Sequence, residues 1–318
     1  MKEFLYQLVY ALFYAFSKLP YKALYGASDC FYIILYHLVG YRREIVRRNL
    51  ATSFPDKSQE ELRYIERGFY HWLCDYFVET VKLMSVSRQE LLQHIEFKGV
   101  EQLEECFDNG QMCAAILGHY GNWEFLSATG LAFQRHHEAV CGLIYHPLRS
   151  DLFERMFIKL RQSMGGVCIP KKDILRYLIS FKRQGLMNLF GYIADQGPRY
   201  QNIHLWLPFL NHDTPVFTGA ERIMRKMNNA VFYVDMERPE RGHYICTFHL
   251  MTKNPAALPE FEITRDYFRR LEQTIRRDPR FYLWSHDRWK RTHEEFDREY
   301  KIENGHVVKR AQATPQQG

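Results

Sequence analysis

None of the seven cysteines of this 318-residue chain stands in a CxxC pair, and their positions (30, 74, 106, 113, 141, 168 and 246) are scattered. A zinc ribbon and a disulfide scaffold are thereby excluded, and the pattern reads as reduced, mostly core thiols of a cytoplasmic compartment. A strong excess of one charge is also missing. The net charge of +6 is a mild basic bias, which suits an anionic lipid surface, an acidic carrier protein or nucleic acid without choosing among them. There is no internal repeat and no low-complexity core. Long unbroken apolar runs are scarce as well. Residues 4–16 contain one strongly polar residue, Gln7, but a helix of that length is roughly 20 Å long against a hydrocarbon core of roughly 30 Å. Residues 23–39 carry Asp29 near their middle. Glu3 and the lack of a small-residue cleavage site argue against a signal peptide.

Aromatic residues, by contrast, abound: 21 Tyr and 23 Phe, many of them near the N-terminus. Four arginines follow within YRREIVRRNL (41–50). Tyrosine-rich apolar helices beside arginines favour a segment lying in the cytoplasmic face of a membrane. A pair of buried helices in a soluble domain fits the same residues.

Two capping boxes, SQEE (58–61) and SRQE (87–90), predict helix starts. The first opens a long helix to about Met84, because Leu62, Ile65, Phe69, Trp72, Leu73, Tyr76, Phe77 and Val81 recur at helical spacing. Beyond residue 94, apolar runs at 112–117, 139–145, 186–193, 231–236 and 243–250 read as strands. They alternate with helical segments at 123–133, 151–164, 172–183, 218–227 and 265–277. Alternation of this kind predicts an α/β fold, a mainly parallel mixed sheet flanked by helices on both faces. The last two strands, separated by PERG (239–242), read as an antiparallel hairpin. The expected organisation is a membrane-associated helical segment (1–40), a helical region (41–93), one catalytic α/β domain (94–300) and a disordered tail (301–318).

Within ILGHYGNWEF (116–125) a buried strand ends in Gly118, with His119 the first side chain beyond it. Such strand ends are where α/β sheets gather their sites. Asn122 can cap a helix starting at Trp123, which puts Glu124 in the first turn where the helix dipole favours a carboxylate. A tight loop then folds Glu124 beside His119, the arrangement of an oriented general base. Amides of Gly121 and Asn122 at the helix start can bind a developing negative charge. Gly118 and Gly121 would let a substrate approach the backbone closely. The same residues also fit a strand-end histidine and a capping glutamate with no chemistry at all. A zinc site lacks a third ligand, so no metal and no cofactor are expected.

HYGNWE resembles the HxxxxE/D motif of the glycerolipid acyltransferase superfamily, and its context resembles the lipid A biosynthesis branch, the Kdo-dependent lauroyl and myristoyl acyltransferases. Further stretches agree in order: NLATSFP (49–55), YHPLRSDLFE (145–154), LRQSMGG (160–166), ADQGPR (194–199) with LPFL (207–210), TPVFTGAER (214–222) and YLWSHDRWK (282–290). Ser150 stands where the family usually has asparagine. The resemblance covers residues 40–292.

The resemblance implies transfer of a fatty acyl group from an acyl carrier protein thioester to a hydroxyl of a lipid A precursor, at the cytoplasmic face of the inner membrane and without nucleic acid. His119 is then the general base, oriented by Glu124. Arg161, matching the family's arginine, is the oxyanion candidate, and Asp195 is expected to hold Arg161 or the acceptor. His286 and Arg288 read as structural, with phosphate contact as the alternative. Rival readings are the same chemistry on a lysophospholipid, aminolipid or glycolipid, a catalytically silent membrane scaffold, and a metal-dependent hydrolase.

Overall fold

A computed structural model describes residues 2–310 apart from His146, Leu148 and Arg149. The predicted tail residues 311–318 and those three residues of the 145–154 block lie outside the described residues. The chain opens with helices α1 (Lys2–Ser17) and α2 (Tyr21–Tyr32), the latter running on as a π-helical segment, Ile33–Val39. Gly40, at φ 63°, ends it. Next come α3 (Arg43–Ser53), α4 (Gln59–Lys82) and the short α5 (Arg88–Leu91). The box at Ser58 and Glu61 is closed in both directions, so the long helix starts where its capping chemistry places it.

The α/β part runs β1 (Ile95–Lys98), α6 (Val100–Asp108), β2 (Cys113–Leu117), a 3-10 segment Trp123–Ala132, β3 (Val140–Tyr145), α7 (Asp151–Gln162), β4 (Val167–Pro170), α8 (Ile174–Arg183) and β5 (Asn188–Ile193). A small hairpin, β6 (Trp206–Phe209) and β7 (His212–Pro215), precedes α9 (Gly219–Met227). Strands β8 (Ala230–Glu240) and β9 (His243–Thr252) and helices α10 (Glu262–Arg277) and α11 (His293–Glu299) complete it. Residues 300–309, all but the first in the segment expected to be a disordered tail (301–318), form a second hairpin of β10 (Tyr300–Glu303) and β11 (His306–Lys309). Ile203, Phe296 and Tyr300 form a small apolar cluster beside it, a support that composition alone did not reveal.

Seven strands form one sheet in the order β1-β9-β8-β2-β5-β3-β4. Strands β8, β2, β5, β3 and β4 are mutually parallel, whereas the β8–β9 hairpin is antiparallel and leaves β9 and its parallel neighbour β1 reversed. All five residues of β2 are buried, so both of its faces are covered, as a central parallel strand requires. The 123–133 segment is a 3-10 helix rather than the α-helix expected.

The apolar N-terminal stretches are not spans: among the described residues no helix is long and apolar enough to cross a membrane. Phe4, Leu5, Leu8 and Leu12 of α1 and Ile33, Ile34, Leu38 and Val39 of the π-helical segment are exposed. Asp29, the charge that interrupted the second stretch, pairs with Arg241 at 2.6 Å. The four arginines after it bond back to the protein while three of them stay exposed: Arg42 donates to Ser285 O, Arg43 to Tyr36 O, Arg47 to Glu66 and Arg48 to Asp287.

Candidate active site

Neighbouring parallel strands β2 and β5 pair Leu117 with Ile193. His119 and Asp195 each lie two residues beyond that rung, so the register alone sets them side by side at the carboxyl edge of the sheet. His119 Nδ1 is 2.6 Å from Asp195 Oδ1, and its backbone N–H donates to Oδ2 at 3.1 Å. Burial pushes the Asp195 carboxyl up, but the charge and hydrogen bonds of His119 and the charge of Arg288 outweigh it and hold Asp195 below its ordinary value. An ionised carboxylate only accepts, so Nδ1 carries a proton, and in the neutral ring the lone pair is the one on Nε2. Gln196 Nε2 lies 3.3 Å from that lone pair, and the Trp123 ring stands edge-on at 5.0 Å.

Glu124 is not the partner of His119. Arg161 takes both of its oxygens, Nε to Oε2 at 2.7 Å and Nη2 to Oε1 at 2.6 Å. Tyr76 adds a longer bond to Oε1 at 3.4 Å. Burial lowers the Arg161 pKa, yet the hydrogen bonds and charge of Glu124 more than offset that and leave it above its ordinary value. The expected pairing is therefore exchanged: Asp195 orients the imidazole and Glu124 holds the arginine. Sequence spacing favoured Glu124 because it is local. Asp195 reaches His119 across 76 residues through a strand pairing that spacing does not encode.

The loop glycines and Asn122 also do other work than expected. Gly121 N–H donates to Phe281 O at 2.9 Å, so that amide is already used. A Cβ on Gly121 would meet Met236 Sδ at 2.5 Å, and one on Gly118 would meet Leu271 Cδ1 at 2.7 Å. What approaches these glycines is the protein's own core. Asn122 makes no side-chain cap; its Nδ2 donates to Glu79 Oε2 at 2.9 Å.

The YLWSHDRWK stretch closes over this loop from behind. Tyr120 bridges to Tyr282, and Leu283 N donates to His119 O at 3.1 Å. Asn49 of NLATSFP clamps the carbonyls of Trp284 and His286 at 2.9 and 3.0 Å. Burial first, against the pull of Asp195, pushes His286 down to about 4, so it is neutral near pH 7.

Two cavities meet at His119, sharing Ile144, Tyr145, Ile193 and Gln196. One, of about 330 Å³, runs past Trp123, Phe157 and Ile158 to Arg161 and Glu154. The other, of about 280 Å³, is walled by Ile174, Phe217, Ala220 and Ile223, with Lys171 on its lining. Among the described residues no cluster of three or more His, Cys, Asp or Glu is arranged to hold a metal ion.

The family model for "Bacterial lipid A biosynthesis acyltransferase" matches residues 1–291 of the chain. A curated relative, "Lipid A biosynthesis acyltransferase 2" of Shigella flexneri, is 22% identical over 240 residues, which cover 74% of this chain and 74% of that protein.

Proposed function

The chain belongs to the bacterial lipid A biosynthesis acyltransferases, an enzyme family of acyl transfer, and from that premise we propose the donor, the acceptor atom and the residues that carry the step. The donor is a fatty acyl thioester on acyl carrier protein. The acceptor is a hydroxyl of a lipid A precursor. His119 Nε2 takes the hydroxyl proton as the oxygen attacks the thioester carbonyl. Asp195, on Nδ1, stabilises the imidazolium that forms. The tetrahedral intermediate then collapses, expelling the carrier thiolate, which the imidazolium protonates. Arg161 faces the cavity that His119 also lines, with Nη1 left over from its two bonds to Glu124, and it is the residue assigned to the oxyanion. The two cavities either side of His119 suit two acyl-bearing substrates.

The observation that carries this reading is the 2.6 Å contact of Asp195 with Nδ1, which leaves Nε2 facing Gln196 at the junction of the cavities. It is tested with acylated carrier protein and a lipid A precursor, following thiol release together with product mass. His119→Ala abolishes transfer, and Asp195→Asn lowers the rate by about 10²–10⁴, the usual range for loss of general-base catalysis. The double variant is no worse than His119→Ala, because the two act as one unit. A wild-type rate in either single variant would overturn the assignment.

A further inference from the structure

Arg288 is the least comfortable charge in the protein. Its exposure is 3%, and burial pushes its pKa down, against the pull of Tyr282 and Asp195. A guanidinium carries five N–H donors and stays charged in proteins. Among the described residues its side chain forms one hydrogen bond, from Nη2 to Pro215 O at 2.7 Å. Nε and Nη1 are buried without a hydrogen-bond partner among the described residues. Taking a cation out of water at this cost demands an anion that benefits.

The surroundings name the anion. A Cβ on Gly197 would lie 3.1 Å from Arg288 Nη1 and 3.3 Å from its carbonyl oxygen, so the Asp195-Gln196-Gly197 loop rests directly on this residue. The groups that act on Arg288 are Asp195, the phenols of Tyr282 and Tyr267, and the cation of Arg291; it acts in turn on His286 and His212. Of these only Asp195 is a carboxylate. Asp195 in turn faces His119, Tyr267, Tyr282 and His286. Three separated stretches, ADQGPR, TPVF and HDRWK, thus meet at one buried guanidinium.

We propose that Arg288 is a positioning residue of the proton-transfer pair, a buried cation beneath the Asp195-Gln196-Gly197 loop that seats the Asp195 carboxylate against His119. The inference rests on the reading of His119 and Asp195 given above. Among the described residues Arg288 forms no hydrogen bond or ion pair with Asp195 or with the imidazole; it meets the Asp195 loop at Gly197. Burial alone would raise the Asp195 carboxyl, and the Arg288 charge is among the forces that lower it. Remove that cation and Asp195 takes up its proton at higher pH, at which point His119 loses its anchor.

The test is the pH–rate profile of the full-length enzyme from pH 4 to 9, with a thermal melt of each variant. Arg288→Met is expected to lower kcat at neutral pH at least about tenfold, because the Asp195 loop loses its seat, and to move the acid limb upward by about one unit, the lower end of what a neighbouring charge does to a carboxylate. Arg288→Lys keeps the charge and returns the limb towards the wild-type position. In an Asp195→Asn background Arg288→Met costs nothing further. Should Arg288→Met fail to fold, Gly197→Ala disturbs the same seat with one methyl and is expected to move the limb in the same direction. A rate lowered by one factor at every pH, with the limb unmoved, overturns the proposal and leaves Arg288 as packing. If His119→Ala is inactive while the limb stays put, only this inference falls. If His119→Ala is active, the parent reading falls with it.

Discussion

At the residue scale, four side chains sort into two arms. His119 with Asp195 moves the proton, and Arg161 with Glu124 presents a cation to the cavity. Glu124 is 1% exposed and gives both oxygens to Arg161, so its charge is spent on fixing the guanidinium's plane. Arg161→Ala is expected to lower kcat by about two orders of magnitude, as loss of one oxyanion donor does. Arg161→Lys rescues only in part, because a point charge lacks the planar fork. Glu124→Gln should be non-additive with Arg161→Ala and additive with Asp195→Asn, since coupling follows contact. A cycle showing the reverse coupling would reassign Glu124 to the imidazole.

At the scale of elements, the tip of the β8–β9 hairpin is pinned to α2 and α4 by a buried charge network. Asp75 accepts from Ser28, Arg238 and Arg241, and Arg241 also holds Asp29. Glu79 accepts from Tyr25, Tyr244 and Asn122, with Arg238 at 3.7 Å. Gly242, at φ 85°, makes the tip; a Cβ there would lie 2.2 Å from Tyr25 Oη. Through Asn122 this network reaches the residues just after His119. Glu79→Ala strips one anion from a buried set and is expected to cost about 3–5 kcal/mol in urea unfolding. Activity should drop as well, because the Asn122 side chain loses its partner. A loss below about 1 kcal/mol would mean that this network is not what holds the hairpin.

At the scale of the whole molecule, exposed apolar side chains concentrate on the N-terminal helices. Phe4 is 74% and Leu38 75% exposed, and neither packs against the sheet. We propose that this face lies in a bilayer surface, with hydrophobic burial as the main attraction because its apolar side chains are so widely exposed while Arg47 and Arg48 already have the carboxylates of Glu66 and Asp287 beside them. Replacing Leu8 and Leu12 by serine is then expected to weaken vesicle partitioning about tenfold or more, given about 1.5–3 kcal/mol per fully buried leucine. Salt should matter little. Co-sedimentation with anionic vesicles at low and high salt checks both. Unchanged binding in the double variant, or release by salt alone, would place the membrane contact elsewhere.

Local signals carried a large part of this protein. The SQEE box, the helical spacing of α4, the alternation beyond residue 94 and the PERG hairpin are all written in residues within a few turns of one another, and the structure follows them. His119 and Arg161 were legible as site candidates from their types and their order along the chain, and both line one cavity. Who pairs with whom was not. The exchange of Glu124 for Asp195 beside the imidazole follows from β5 lying next to β2, with Leu117 opposite Ile193, and strand order is decided by the packing of the whole sheet. The buried arginine under the Asp195 loop and the partners of Arg42, Arg43, Arg47 and Arg48 depend on the same cause. A charge in the sequence has no direction until the fold supplies its neighbour, and those neighbours lie as much as 243 residues away along the chain.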